Sequence, residues 1–242
     1  MSEQHVRAVV LAGGFGTRIQ HLLPDRPKPM VLVAGRPFLE WVLLFLQRGG
    51  VHDFCLSTGF RAAVVAEHFA RKPLSGARIH CVPESTPLGT GGGFINCTMA
   101  ATPPELWLVT NGDSLAITPL GDLLALLDDP VVDGAVLGLD MSDASRYGTL
   151  QTGLDGRLTG FAEKQPGRGV INAGIYVFRH RLLAHFPNHR PLSLETDVFP
   201  RLVGTTNIKV LATVAPFLDI GTPESLIQAE DFISQHLTHF SP

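Results

Sequence analysis

No stretch of this sequence stays apolar for long. The longest unbroken run, Trp41 to Leu46, falls far short of the roughly 20 residues that a bilayer crossing needs. The start, Met1 to His5, carries no positively charged n-region ahead of a hydrophobic segment. Together these absences predict a cytoplasmic chain with no membrane partner. Charge is also scarce, at 17% of residues with a net charge of −3 and no long basic run, so the electropositive footprint of a nucleic-acid binder is missing. The three cysteines, Cys55, Cys81 and Cys97, form no CxxC pair and lie in or beside apolar segments. That pattern points to buried reduced thiols and away from a zinc site or a disulfide framework. His185 and His189 are four apart, but Pro187 between them breaks the helical face that a metal pair would need.

What is present is ample apolar content, 45% of 242 residues, enough for a substantial core. The 25 glycines and 18 prolines follow no fixed period, which suits a loop-rich globular enzyme. Val6 to Ala12 reads as a strand buried on both faces, and Phe38 to Leu46, behind Pro37 and ahead of Gly49-Gly50, as a helix. Phe54 to Ser57, Ile79 to Val82 and Leu106 to Thr110 continue as strands, with a helix over Ala62 to Ala70. Such alternation of β and α is the pattern of a doubly wound sheet. Beyond about residue 133 the pattern changes. Ala135 to Leu139, a hairpin about Asp155-Gly156, Val170 to Phe178 and Ile208 to Val214 read as antiparallel or mixed additions to the same sheet, with helices near Glu195 to Val203 and Pro223 to Leu237. No linker or repeat divides the chain, so we expect a single α/β domain over 1–242, with functional halves of about 1–133 and 134–242.

The stretch "LAGGFGTRIQHLLPDRPKPM", Leu11 to Met30, follows the first strand. Gly13, Gly14 and Gly16 remove side chains where backbone N–H groups could converge on an anion, and glycine permits the positive φ that such a nest uses. Glycines after a strand are also ordinary turn residues. Ile19 stands where a dinucleotide fingerprint wants a small residue, about twenty residues beyond Gly16 lies Arg36 rather than an acid, and no GxxxxGK[ST] exists. Prolines on both sides of Lys28 restrict the chain and hold that amine in one direction. A solvated Arg18 and Lys28 would explain neither the glycines nor the prolines.

"LAGGFGTR" with a later "PKP" resembles the N-terminal motif of the sugar-1-phosphate nucleotidylyltransferases, and the resemblance continues in order through "ESTPLGTGGG", "NGD", "RYG", "EK", "NAGIYVF" and "DIGTP". It implies a Rossmann-like mixed, mostly parallel sheet flanked by helices, a magnesium-dependent reaction and release of pyrophosphate. A sugar phosphate oxygen would attack the α-phosphorus of a nucleoside triphosphate in line, so the work is to suppress repulsion between polyanions and to align them. No covalent nucleophile is needed, which makes the lack of GxSxG and HExxH motifs uninformative. The resemblance places Leu11, Ala12, Gly13, Gly14, Gly16 and Thr17 around the triphosphate. Arg18 would act on the departing pyrophosphate, with its fork suiting phosphate oxygens, and Lys28 on the transferred group.

Asp113 ends the strand "LWLVTNG", where open α/β sheets put ligands, and it is the first candidate magnesium ligand. An Asp after Asn-Gly is also a common turn residue. Asp219 in "FLDIGTP" matches the family's second metal carboxylate, and Thr222 is better placed than Asp219 to cap a helix starting at Pro223. On the acceptor side, Glu163 and Lys164 in "FAEKQ" match groups for sugar hydroxyls and phosphate. Asn111, Asn172, Gly174, Tyr147 and Gly148 match sugar-contacting positions, although Tyr147 could equally be core.

"ESTPLGTGGG" should form a second glycine-rich loop over base and ribose, with Gly89 and Thr90 in it, before a short helix. A glutamate can accept from both guanine donors, N1–H and N2–H₂, so Glu84 favours GTP if it reaches the base; facing water is the other reading. "RYGTL", "EKQPGRGVINAGIY" and "PLSLETDVFPRLV" look most like D-glycero-D-manno-heptose 1-phosphate guanylyltransferases. Ile19 and "NGDSLA" depart from the usual pattern of the family. A uridylyl- or thymidylyltransferase, or a nucleotide-sugar sensor without turnover, is the alternative. Apolar surfaces in the second half could support a homodimer.

Overall fold

The structure is a computed structural model that describes residues 5–14, 19, 23, 25–162 and 166–240. Strand β1 (Val6–Ala12) enters the centre of the sheet. A one-turn 3₁₀ segment over Lys28–Met30 and the small ribbon β2 (Leu32–Val33) and β3 (Arg36–Pro37) lead into α1 (Phe38–Arg48). Then come β4 (Asp53–Thr58), α2 (Ala62–Arg71), β5 (Arg78–Pro83), α3 (Gly89–Met99) and β6 (Leu106–Asn111). After β7 (Ser114–Ala116) and α4 (Leu120–Ala125), the chain forms β8 (Gly134–Met141), the hairpin β9 (Thr149–Thr152) and β10 (Leu158–Ala162), and the long β11 (Gly169–Arg179). It ends with α5 (Phe199–Leu202), β12 (Ile208–Thr213), β13 (Phe217–Asp219), α6 (Pro223–Ile227) and α7 (Ala229–Gln235).

The main sheet runs β12-β8-β11-β6-β1-β4-β5, with the β9–β10 hairpin joined to β11 at Ile171. The pairs β1–β4, β1–β6, β4–β5 and β12–β8 are parallel, whereas β11 is antiparallel to both β6 and β8. The mixed, mostly parallel sheet expected from the sequence is therefore the one observed, and strands from either side of residue 133 share it.

Alternation along the strands sends side chains into two cores, one per face. Ala8, Val10, Leu108 and Val177 face a core with Phe38, Leu39 and Leu43 of α1 and Phe69 of α2. Val9, Val109, Trp107, Tyr176 and Phe178 face the other, with Phe94 of α3 and Phe199 of α5. Burial on both faces explains why β1 and β4 read as continuous apolar runs. Among the described residues, no helix is long and apolar enough to cross a membrane.

One expectation needs correction. The glycines of "GTGGG" are not in a loop: Gly91, Gly92 and Gly93 are buried inside α3. Helical glycine costs about 1 kcal/mol relative to alanine, but a Cβ on Gly91 would press on Leu192, one on Gly92 on Leu88, and one on Gly93 on Ser57 and Glu84. Close packing, not flexibility, requires them. The helical segment expected near Glu195 to Val203 is present, as a π-helical turn, Leu194–Val198, capped by the Ser193 hydroxyl, followed by the short α5.

Candidate active site

Three strands bring their ends to one edge of the sheet. β1 ends at Ala12, just before Gly13 and Gly14, and its neighbour β6 ends at Asn111, with Leu11 and Asn111 paired in register. Antiparallel β11 crosses β6 with Ile175 opposite Thr110, so Asn172 and Gly174 arrive at the same edge. Gly174 is needed there for two reasons: its φ is +73°, and any Cβ would collide with the Asn111 amide.

Two cavities open side by side along this edge. The first, about 340 Å³, is lined by Leu11, Ala12, Gly13, Gly14, Glu84, Gly89 and Thr90. The second, about 310 Å³, is lined by Tyr147, Asn172, Phe217 and Asp219. Lys28, Asn111 and Asp113 line both.

Lys28 is buried, 8% exposed, at the start of the 3₁₀ turn Lys28–Met30, whose other residues, Pro29 and Met30, are buried as well. Its ammonium donates to Asp113 Oδ2 at 2.7 Å and to Asp219 Oδ1 at 3.4 Å. Asp219 reaches it because β13 pairs with β7, with Asp219 opposite Ser114. Thr222, not Asp219, caps α6, in a reciprocal capping box with Ser225. Gly221 keeps the cradle open, since a Cβ there would lie 2.9 and 3.0 Å from the two Asp219 oxygens and 3.2 Å from Lys28 Nζ.

Glu84 lies in the loop between β5 and α3, half-buried at the wall of the first cavity, and its side chain is tethered there. Its carboxylate accepts from the Ser57 hydroxyl at 2.6 Å and from the Leu88 amide at 3.1 Å. It is wedged between two glycines, since a Cβ on Gly13 would lie 2.6 Å from Oε1 and one on Gly93 would lie 2.8 Å from it. Gly13 and Gly14 do not have positive φ. Gly13 is there for space, and among the described residues a Cβ on Gly14 would meet nothing within 4 Å, where Gly14 lines the cavity. Gly148 makes room for the Phe161 ring, and Tyr147 packs edge-on to Phe217.

Thr90 and Asn172 have occupied side chains. Thr90 donates to Glu195, and Asn172 donates to the Tyr176 hydroxyl and accepts from the Gly174 amide. Gly16, Thr17, Arg18, Glu163 and Lys164 lie outside the described residues. The sequence reading missed Ser57, which holds Glu84, and Glu195 and Tyr176, which hold Thr90 and Asn172. A lone Ser or Glu in a strand or helix carries no local sign of a partner 27 or 105 residues away.

Among the described residues, no group of three or more His, Cys, Asp or Glu side chains converges as a metal cage. The pair Asp113 and Asp219 is a different kind of site. Both carboxylates contact the Lys28 ammonium and line one open cavity, and two hard carboxylates are a donor set that would suit a magnesium ion keeping its other positions for phosphate oxygens and water.

The profile of the nucleotidyl transferase family matches residues 7–236. Mannose-1-phosphate guanylyltransferase of Mycobacterium tuberculosis is 34% identical over 232 residues, covering 94% of this chain and 64% of that protein. D-glycero-alpha-D-manno-heptose 1-phosphate guanylyltransferase of Aneurinibacillus thermoaerophilus is 28% identical, over 96% of this chain and 100% of that protein. The crystal structure of HddC from Yersinia pseudotuberculosis complexed with GMP-PN superposes with a TM-score of 0.82 at 31% identity, covering 94% of this chain and 98% of that one. This chain thus spans just under two thirds of the mycobacterial relative and the whole of the Aneurinibacillus one.

Proposed function

Since this chain belongs to the nucleotidyl transferase family, we propose that it transfers GMP from GTP to a sugar 1-phosphate, with D-glycero-α-D-manno-heptose 1-phosphate as the favoured acceptor, giving a GDP-sugar and pyrophosphate. The observation that carries this reading is the shared wall: Lys28, Asn111 and Asp113 border both cavities. Two anionic substrates held in adjoining cavities would meet at a buried ammonium.

In this reading the nucleotide lies in the cavity of Gly13, Gly14 and Glu84, and the sugar in that of Tyr147 and Asn172. This divides the molecule into nucleotide and sugar halves near residue 133. The sugar phosphate oxygen forms a bond to the α-phosphorus as the bond from that phosphorus to the bridging oxygen breaks, and pyrophosphate leaves with the electron pair. Lys28 offsets charge on the transferred phosphoryl group, a role that suits a compact cation whose water has been stripped by burial. Arg18 acts on the leaving pyrophosphate, and Glu163 and Lys164 on the sugar hydroxyls and phosphate. Glu84 keeps one lone pair on each oxygen beyond those used by Ser57 and Leu88, enough to accept from guanine N1–H and N2–H₂. Asp113 and Asp219 would hold magnesium, which when bound supplies further charge neutralisation on the phosphates.

Mannose 1-phosphate is the competing acceptor, favoured by the 34% identity to the mycobacterial mannose-1-phosphate enzyme. The test is pyrophosphate release with magnesium, across GTP, ATP, UTP and dTTP and across heptose, mannose and glucose 1-phosphates. Turnover confined to GTP with a manno-configured acceptor supports the reading. Equal turnover with all four bases removes the Glu84 argument, and none with any acceptor removes the activity.

A further inference from the structure

Behind the two cavities runs a hydrogen-bonded chain anchored on a residue that lines neither. Glu195 sits on the π-helical turn Leu194–Val198. Its Oε2 accepts from the hydroxyls of Thr90 at 2.9 Å and Ser193 at 2.8 Å, and its Oε1 accepts from the Tyr176 hydroxyl at 3.3 Å. Two arms leave from it. Along one, Thr90 also accepts from the Leu194 amide at 2.8 Å, which ties the first turn of α3, at the rim of the first cavity, to segment 193–195. Along the other, the Tyr176 oxygen accepts from the Asn172 side-chain amide at 2.7 Å, and Asn172 Oδ1 accepts from the Gly174 amide at 3.0 Å, at the rim of the second.

The direction of every bond follows from the carboxylate. An ionised Glu can only accept, so all three hydroxyls must point their protons at it. The Tyr176 oxygen is then left to accept, which turns the nitrogen of the Asn172 amide toward it and the oxygen toward Gly174. Tyr176 is fully buried, and this burial, with the Glu195 charge acting in the same sense, pushes its phenol well above the ordinary 10.0. It stays protonated and donating throughout the neutral range.

We propose that Glu195 is a positioning residue for the transfer: one carboxylate orients Thr90 beside the nucleotide cavity and, through Tyr176, the Asn172 amide beside the sugar cavity. This rests on the assignment of substrates to cavities made above. It also gives the π-helical turn a purpose, since the wider turn brings Glu195 between α3 and β11 rather than out to solvent.

Calorimetric titration of GTP with magnesium, and of whichever of heptose or mannose 1-phosphate the wild type binds more tightly, tests this together with melting curves. Glu195→Gln is nearly isosteric but offers a donor as well as an acceptor, so the hydroxyls lose their fixed direction. It should weaken both ligands by about three- to tenfold, the size of a hydrogen bond or less. Tyr176→Phe should weaken the sugar phosphate alone, and Thr90→Val the nucleotide alone. Tyr176→Phe added to Glu195→Gln should bring no further loss for the sugar phosphate. The proposal is overturned if Glu195→Gln lowers the melting temperature while both affinities stay unchanged, if it affects one ligand only, or if its effect multiplies with that of Tyr176→Phe. Affinities need no turnover. A wild type that binds both ligands without releasing pyrophosphate removes the transferase reading and leaves Glu195 to be judged by these ratios, whereas one that binds neither removes both.

Discussion

Replacing Gly13 with alanine should destabilise the protein through Glu84, not through the backbone. The new Cβ would lie 2.6 Å from Glu84 Oε1, against the 3.4 Å or more of an ordinary contact, so the carboxylate must retreat by 3.4 − 2.6 = 0.8 Å. Gly93 crowds the other side of the same oxygen, so the carboxylate must swing toward the cavity it lines. The same oxygen accepts from Ser57 at 2.6 Å, and moving it sacrifices that bond. A hydrogen bond to a charged group contributes about 1.5–3 kcal/mol, so the melting temperature should fall by roughly 3–12 °C at the 2–4 °C per kcal/mol typical of a chain this size. The control is a double-mutant cycle by scanning calorimetry. Glu84→Ala removes the obstruction together with the bond, and in that background Gly13→Ala should cost less than about 0.5 kcal/mol, a strong non-additivity. Equal cost in both backgrounds, or a Gly13→Ala protein that melts with the wild type, would refute the steric argument.

Gly14→Ala, whose Cβ meets nothing within 4 Å among the described residues, should leave the melting temperature within about 2 °C but weaken GTP measurably, because Gly14 lines the cavity; unchanged affinity in calorimetry would show that no ligand approaches there. Lys28→Met should reduce kcat/KM for pyrophosphate release by about 10²–10³, the range seen when one preorganised electrostatic group is lost, and a loss under fivefold would remove Lys28 from the chemistry. At Asp53, burial pushes the carboxyl up, but hydrogen bonds and charge from Arg7 at 2.7 Å and Arg78 at 3.2 Å outweigh it and hold it below the ordinary 3.8. The folded form therefore binds its proton less readily than the unfolded one, so the stabilisation is complete above pH 3.8 and declines as pH falls further. The melting-temperature gap between wild type and Asp53→Asn should be flat from pH 7 to pH 5 and narrow below 4, and a gap that widens in acid would contradict this. Burial raises all three thiols, Cys97 most; Cys81 is only half-buried, but Cys55 and Cys97 are buried, so a thiol reagent at pH 8 should label neither of those two quickly until denaturant is added, and prompt labelling of Cys97 would place it at the surface.

What could be read from the sequence was whatever depends on near neighbours along the chain. Apolar runs located β1, β4 and β6, and Asp155-Gly156 located a hairpin whose turn has Gly156 at φ +74°. Thr222 was recognised as the cap of α6 from its position before Pro223. The glycines of α3 were misread because helix propensity is local while their justification is tertiary: Leu192 and Glu84 press on them from elsewhere in the chain. Gly13 was expected to remove a side chain and to permit positive φ; only the first is used, and what the missing side chain makes room for, the Glu84 carboxylate, lies far along the chain. Asp113 and Asp219, 106 residues apart, could be paired beforehand only by resemblance, because nothing local announces that β13 will lie against β7.

The adjoining of the two cavities has a second topological source, in the main sheet. In a sheet of parallel strands only carboxyl ends meet at the ligand-binding edge, so β1 and β6 can supply Gly13, Gly14, Asn111 and Asp113 but no parallel strand could also offer its beginning there. β11 runs the other way beside β6. Its reversal presents the amino-terminal half of a strand, with Asn172 and Gly174, to the same edge, and the register break between Asn172 and Tyr176 in its pairing with β8 falls within this segment. Two cavities with a common wall are what such a reversal produces: one framed by strand ends, the other by a strand start, with Asn111 in contact with both. A variant that crowds this segment, such as Gly174→Val, should therefore damage both cavities at once, since the branched side chain must sit at φ +73° and against Asn111. Loss of sugar phosphate affinity with GTP affinity untouched in that variant would mean that the two cavities do not depend on the same wall.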